Sequence, residues 1–424
     1  MTIHIVSAGE TAQSIAADYG VSPAFLIADN EIPPDGALAT GQTLVIRFPQ
    51  QVHSVRESES LASIAAAYGT TVRRLWQNNW QLGGSTELYP GQTLVISYLE
   101  SPIARGYFNG YAYPFINSRL LNQQLPYLSS LTPFTYGINA EGGLLPLNDD
   151  ALLSAARQHG TRPVLHLSSY TEEDTFDTRR AAMVLTEPDV QNQLIGELQR
   201  VMARKGFAGV DVDFEYLPAA LATPYAEFLS RLRDLFNPQG QLVWAALAPK
   251  TSSDQPGLLY EGHDYGAIGA AVNGVLLMTY EWGYTYGPPM AVAPLPQVRA
   301  VLNYALTEIP ADKIFLGIPN YGYDWPLPYQ QGVTRARSIS NQEAIRLAVQ
   351  HQVAIQYNET AQAPFFHYTA EDGVIHEVWF EDARSMEIKL RLVAENGLRG
   401  AGYWNIMRPF SQTWLTLASL FEIE

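Results

Sequence analysis

Three carboxylates alternate with apolar residues in "AGVDVDFEYL", residues 208–217. Read as a strand, this run puts Asp211, Asp213 and Glu215 on one face and Val210, Val212, Phe214 and Tyr216 on the other. Neighbours in the acidic row then lie about 6–7 Å apart. Carboxylates that close and shielded from water cannot all ionise cheaply, so repulsion and desolvation raise at least one pKa. Keeping Glu215 protonated near neutrality takes a rise of about 2, or roughly 2.7 kcal/mol of environmental bias. A carboxylic acid held that way can protonate the leaving oxygen of a glycosidic bond. The competing reading, a buried ion-pair cluster, needs inward-facing cations, and the other strand-like segments offer Arg105, Arg162 and Lys250 only at their margins.

Other chemistries find little support. The eight histidines show no zinc spacing, and "HEVWF" (376–380) lacks the second His of a metalloprotease helix. There is no phosphate loop and no dinucleotide fingerprint, so no cofactor and no metal are expected. With 0 Cys, disulfides and thiolate nucleophiles are excluded. A net charge of −16 leaves no basic footprint for nucleic acid. Both parts of the chain are acidic: the first 100 residues hold 4 Lys+Arg against 9 Asp+Glu, and the rest 22 against 33. No run of 18 apolar residues suggests a membrane span, and "MTIHIVSAGETAQSIA" lacks the basic and apolar regions of a secretory signal.

The acidic row needs a scaffold. The 424 residues, 47% hydrophobic and 16% charged, suit a packed protein of two or three domains. From residue 103, apolar β-branched runs alternate with helical patterns. Strands are predicted over 103–112, 131–139, 162–170, 208–217, 242–250, 274–283, 314–325 and 400–407, with helices such as 190–206 and 224–237 between them. Eight strands with interleaved helices predict an α/β fold, a (β/α)8 TIM barrel. Asp211, Asp213 and Glu215 would point inward, with Glu215 nearest the C-terminal rim. About 75 residues separate the last two strands, which predicts a small α+β insertion at about 326–395 walling one side of the cleft. His166, on the third strand, could line that cleft, but a satisfied core histidine is the preferred reading.

The N-terminal part is an internal repeat. Val6, Glu10, Ile15, Tyr19, Gly20 and Asn30 recur as Val55, Glu59, Ile64, Tyr68, Gly69 and Asn79 at an offset of 49, and "GQTLVI" at 41–46 recurs at 91–96. Each copy reads strand, helix, helix, strand, with Gly20 ending the first helix and Pro23 opening the second. The domain boundaries that follow are 1–49, 50–98 and 99–424. The junction "SYLESP" (97–102) is no long Gly/Ser linker, which favours tight coupling.

The repeats resemble LysM modules, small βααβ units that bind N-acetylglucosamine-containing glycans. The second copy departs from the usual turn, with "ESES" (57–60) where the first has "AGET" (8–11). "AGVDVDFEYL" resembles the fourth-strand signature of family-18 glycoside hydrolases, Asp-Gly-x-Asp-x-Asp-x-Glu, with Ala208 in place of the first Asp. That resemblance implies Glu215 as general acid/base, Asp213 as the residue holding the substrate acetamido group and Asp211 as a deeper support. It also implies substrate-assisted cleavage, in which the acetamido oxygen attacks the anomeric carbon. "MTYEWG" (278–283) is similar to the sixth-strand signature, which gives Tyr280 a hydrogen bond to the acetamido carbonyl. Glu281 stands where that family often has Asp, as a sugar contact. Trp404 in "GYWNIM" matches the aromatic floor under the sugar.

The combination, together with "NYGYDW", "SISNQEAI", "QYNETAQAPFF", "HEVWFEDARS" and "GLRGAGYWNIMRPF", resembles the spore cortex-lytic N-acetylglucosaminidases of endospore-forming bacteria. This implies a peptidoglycan partner, cortex hydrolysis during germination, and a place in the spore coat or integument reached without a signal peptide. A monomer is expected. The alternatives are a chitinase or chitooligosaccharidase and a non-catalytic glycan-binding coat protein.

Overall fold

The computed structural model describes residues 1–173 and 175–424. In the first N-terminal module, strands Thr2–Ile5 and Thr43–Ile46 pair antiparallel, with Ile3 opposite Val45, around helices Ala12–Tyr19 and Pro23–Asp29. A capping box between Thr11 and Ser14 starts the first helix, and Gly20 ends it in the left-handed conformation, φ 65°. The second module repeats this plan with strands Pro49–Ser54 and Thr93–Tyr98 and helices Leu61–Ala67 and Val72–Asn78. Each has a small apolar cluster of its own, built on Ile15, Leu26 and Leu44 in one and Ile64, Leu75 and Leu94 in the other.

Units this small are marginal alone, and here they are docked. Buried Arg47 holds Asp29 of its own module at 2.9 Å and donates to the Gln77 and Asn78 carbonyls of the next, both at 3.2 Å. Arg73 donates to the carbonyls of Pro126 and Leu128, and Trp80 packs on Tyr127. Thr43 and Gln412 exchange two hydrogen bonds, and the Ile355 amide donates to Thr40. The modules are fixed to the body, as the short junction led us to expect.

The body is a barrel of parallel strands: β1 (Ala104–Ala112), β2 (Ser130–Pro133), β3 (Leu165–Ser168), β4 (Gly209–Asp213), β5 (Leu242–Leu247), β6 (Gly274–Leu277), β7 (Ile314–Pro319) and β8 (Gly400–Trp404). β8 pairs with β1 to close one side. On the other, the third segment is divided: Arg162–Pro163 pairs with β2, and β3 pairs with β4. Tyr107, Tyr111, Trp244, Leu276 and Phe315 fill the barrel interior. Outside it, Phe214 stacks on Tyr225 and Phe228 of the helix Ala222–Phe236, as expected for the outward face of 208–217 up to Phe214.

The strand predictions need correction: those over 131–139, 208–217, 242–250 and 274–283 end early, at Pro133, Asp213, Leu247 and Leu277. The segment 314–325 is not one strand: β7 stops at Pro319, and Gly322–Pro326 opens a separate five-stranded antiparallel sheet with 337–339, 356–358, 363–369 and 375–379. A continuous apolar and aromatic run hid the change of sheet. The short C-terminal strand Phe421–Ile423, unforeseen, pairs parallel with the start of β1. Among the described residues no helix is long and apolar enough to cross a membrane.

Candidate active site

β4 delivers the acidic row. A side chain at Gly209 would bring its Cβ to 2.5 Å from the Leu242 carbonyl oxygen, so only glycine lets β4 and β5 approach this closely. The strand ends at Asp213, whose last pairing is with Ser168. Beyond it the alternation lapses: Tyr216 has φ 57°, is 42% exposed and turns onto the cleft instead of the outer helices. A non-glycine in this conformation costs about 1–2 kcal/mol, strain of the kind that gathers at functional sites. Ala208 sits at the opposite end of the strand, its amide bonded to the Pro163 carbonyl at 2.8 Å.

Asp213 and Glu215 open into a cleft of about 670 Å3 at the C-terminal mouth of the barrel, and Asp211 lies beneath its floor. Asp211 accepts from the Tyr111 hydroxyl at 2.6 Å, and burial lifts its pKa to about 6. Asp213 is held well above the ordinary carboxylate range by burial and by repulsion from Glu215 and Asp211. Glu215 is pushed up to about 7 by burial. Among the described residues no Lys or Arg pairs with these three. Arg105 faces Glu424, and Lys250 donates to the carbonyls of Ser253 and His263, so the ion-pair reading fails.

His166 is both things the sequence left open: 1% exposed, and part of the cleft wall. Burial lowers its pKa to about 3, so the ring is neutral. Its Nδ1 meets the Thr135 hydroxyl at 2.7 Å. A hydroxyl donated to Nδ1 leaves the ring proton on Nε2, facing Asp213 Oδ2 at 3.6 Å.

Tyr280 follows the end of β6. Gly317 makes room for it, since a Cβ there would lie 2.8 Å from the Tyr280 ring. Burial and the nearby Asp213 and Glu215 hold its hydroxyl protonated. The next residue, Glu281, has φ 68°. Its carboxylate accepts hydrogen bonds from Tyr321 and Tyr323, the latter at 3.1 Å to both oxygens. Burial raises the Glu281 pKa against those two bonds. Trp404, at the end of β8, packs 5.0 Å from Phe134 and 5.8 Å from Tyr111.

The fold therefore brings Asp211, Asp213, Glu215, Tyr280, Glu281 and Trp404 to one cleft or its floor. Sequence reasoning missed Tyr111, Thr135, Tyr321 and Tyr323. "NYGYDW" contained the last two, but nothing local said that hydroxyls from one strand end would reach a carboxylate from another. Among the described residues no group of three or more potential ligands could hold a metal.

A barrel with adjacent raised carboxyls at its rim, no Lys or Arg paired with them among the described residues and an aromatic wall has the make-up of a glycosidase site. The chain belongs to glycosyl hydrolases family 18, which residues 156–408 match, and residues 4–47 and 53–97 match the LysM domain. It is 40% identical to the cortical fragment-lytic enzyme of Bacillus subtilis (strain 168), over 100% of this chain and 99% of that one. The crystal structure of the spore cortex-lytic enzyme SleL from Bacillus megaterium QM B1551 superposes with a TM-score of 0.84 at 36% identity, over 100% of this chain and 98% of that chain. SleL of Bacillus cereus gives 0.85 at 34%, with the same coverage. The protein is a glycoside hydrolase with glycan-binding modules.

Proposed function

We propose that this enzyme is an N-acetylglucosaminidase of spore cortex peptidoglycan and its fragments, acting during germination as a monomer in the spore coat or integument. The observation that carries the reading is Glu215, a rim carboxyl with a pKa of about 7 beside a second raised carboxyl and, among the described residues, without a paired Lys or Arg. The whole-chain similarity to a cortical fragment-lytic enzyme supports the substrate.

The residues then divide the work. Glu215, protonated, gives its proton to the glycosidic oxygen as the bond to the anomeric carbon breaks. The substrate's acetamido oxygen attacks that carbon from the opposite face, while Asp213 accepts from the acetamido N–H and stabilises the positive oxazolinium ion. Tyr280 donates to the acetamido oxygen and steers it. Glu215, now ionised, takes a proton from water, which opens the ring and restores the original anomeric configuration. Asp211 supports Asp213 from below, Glu281 holds a sugar hydroxyl, and Trp404 stacks under the ring.

The test is mass spectrometry of cortex muropeptides digested by wild type and by Glu215→Gln. New products ending in reducing N-acetylglucosamine should appear with wild type alone. Cleavage of chitooligosaccharides with no action on cortex glycan would overturn the substrate assignment.

A further inference from the structure

The loop that follows β6 carries Trp282 and Tyr284 to the cleft. It doubles back on itself, the Trp282 amide donating to the Val292 carbonyl at 3.1 Å and the Gly283 amide to the Ala291 carbonyl at 3.0 Å. Its tip is held by the insertion. Trp325 Nε1 donates to the Gly287 carbonyl at 2.8 Å, the Tyr329 hydroxyl to the Tyr286 carbonyl at 2.9 Å, and the Ala336 amide to the Thr285 carbonyl at 2.7 Å. Tyr286 therefore stands in a set position, its ring 6.4 Å from that of Tyr284. Over its face, 5.1 Å from the centroid, lies the guanidinium of Arg335.

Asp213, Glu215 and Glu281 line the cleft, and among the described residues no Lys or Arg does. The cations nearby in the insertion and the β8 loop are mostly committed. Arg337 is tied to Asp324 at 3.4 Å and to Glu343 at 2.7 Å, and Arg408 donates to the Ser338 carbonyl at 3.3 Å. Arg335 is exposed and makes no ion pair among the described residues. The ring of Tyr286 orders its long side chain through a cation–π contact, which leaves the N–H groups at the edge of the guanidinium for an acceptor. A planar fork of donors is thus presented one ring beyond the cleft lining.

We infer that Arg335 takes a carboxylate branching from a glycan seated in the cleft, and so sets a preference for muramic-containing strands over neutral N-acetylglucosamine polymers. A muramic residue differs from N-acetylglucosamine by a lactyl ether on O3, whose carboxyl is free or extended by a peptide that itself ends in a carboxylate. Of the two sugars only this one offers the planar anion that a guanidinium binds through paired N–H···O bonds. The branch projects from the ring, so its carboxylate can reach beside the cleft, clear of the carboxyls that line it. The inference rests on the glycan-cleaving reading above.

The experiment compares kcat/KM on tetrasaccharide muropeptides from cortex, native or with their carboxylates converted to amides, using the full-length protein and measuring products that end in reducing N-acetylglucosamine. The parent should favour the native fragments by about 5-fold, the size of one exposed charge-assisted contact, with the difference falling in KM. Arg335→Ala should abolish that preference, and Arg335→Lys should keep part of it. Arg335→Glu should reverse it in favour of the amides, which disturbed loop packing alone would not do. Equal turnover of both fragments by the parent, or a preference that Arg335→Glu leaves intact, would overturn the inference while glycan cleavage stands. If the parent releases no such product from either fragment, the glycan reading itself falls and the inference with it.

Discussion

Glu215 lies just past a buried strand beside two other carboxylates, whereas Glu10 and Glu59 lie on exposed turns of the two N-terminal modules. Around Glu215 the protein supplies burial and, among the described residues, no paired Lys or Arg, and its pKa rises to about 7. Around Glu10 it supplies donors: the Ser7 amide at 2.6 Å and His4 Nε2 at 2.9 Å, with His4 Nδ1 in turn meeting the Tyr19 hydroxyl. Glu59 repeats this with the Arg56 amide, His53 and Tyr68. Both module carboxyls are lowered, first by the backbone amide and then by the histidine. One residue type thus becomes a carboxyl with a raised pKa in one place and a turn staple in the other. What surrounds the charge decides which, not the residue itself.

The largest consequence falls on activity. If Glu215 works as the protonated acid, kcat/KM is full below its pKa and falls as pH rises through about 7. Glu215→Gln should remove that limb along with about 10²–10⁴ of the rate. A profile flat from pH 5 to 9 would break the contrast at its functional end.

Stability should divide the two sets by sign. A raised carboxyl favours the folded state at low pH, and that contribution is lost as pH climbs from its unfolded value towards about 7. Glu215→Gln removes the cost of charging a buried group, so the variant should be more stable than wild type at pH 8, by on the order of 3 kcal/mol at most, and match it near pH 4. Glu10→Gln and Glu59→Gln should do the reverse. Their lowered carboxyls contribute stability above the unfolded pKa and lose it as pH falls through the folded one, so both variants should be less stable than wild type at pH 7 and equal to it in acid. Calorimetry of the three variants across pH reads both signs. A Glu215→Gln protein destabilised at pH 8 would mean that the acid is structurally satisfied.

The barrel and its acidic row were legible because their signals are local. Alternation in 209–217 put Val210, Val212 and Phe214 on one face, and the structure keeps them buried there. Tyr216 escaped the pattern because strand pairing ends at Asp213, and a left-handed turn leaves no periodic trace. The end of β7 escaped for a related reason: apolar residues continue across it, and only pairing partners distant in sequence tell one sheet from the other. The tyrosine pair on Glu281 was invisible as a contact because it spans 40 and 42 residues. The LysM pattern placed the helices and the Gly20 cap, while the docking through Arg47 and Arg73 rests on carbonyls, which carry no sequence signature.

The smallest effect concerns the two module turns. "ESES" differs from "AGET", yet Glu59 keeps the contacts of Glu10, because Ser58 adopts φ 66° where Gly9 has φ 84°. The second copy thus preserves the staple at the cost of a side chain in a left-handed conformation. Ser58→Gly should relieve about 1 kcal/mol of strain, part of which the greater freedom of glycine in the unfolded chain takes back. A rise in Tm of under about 4 °C is therefore expected at pH 7, and Gly9→Ser should lower it to a similar degree. If both substitutions destabilise, the Ser58 side chain contributes more to the second turn than its backbone costs, and the two copies are not energetically interchangeable.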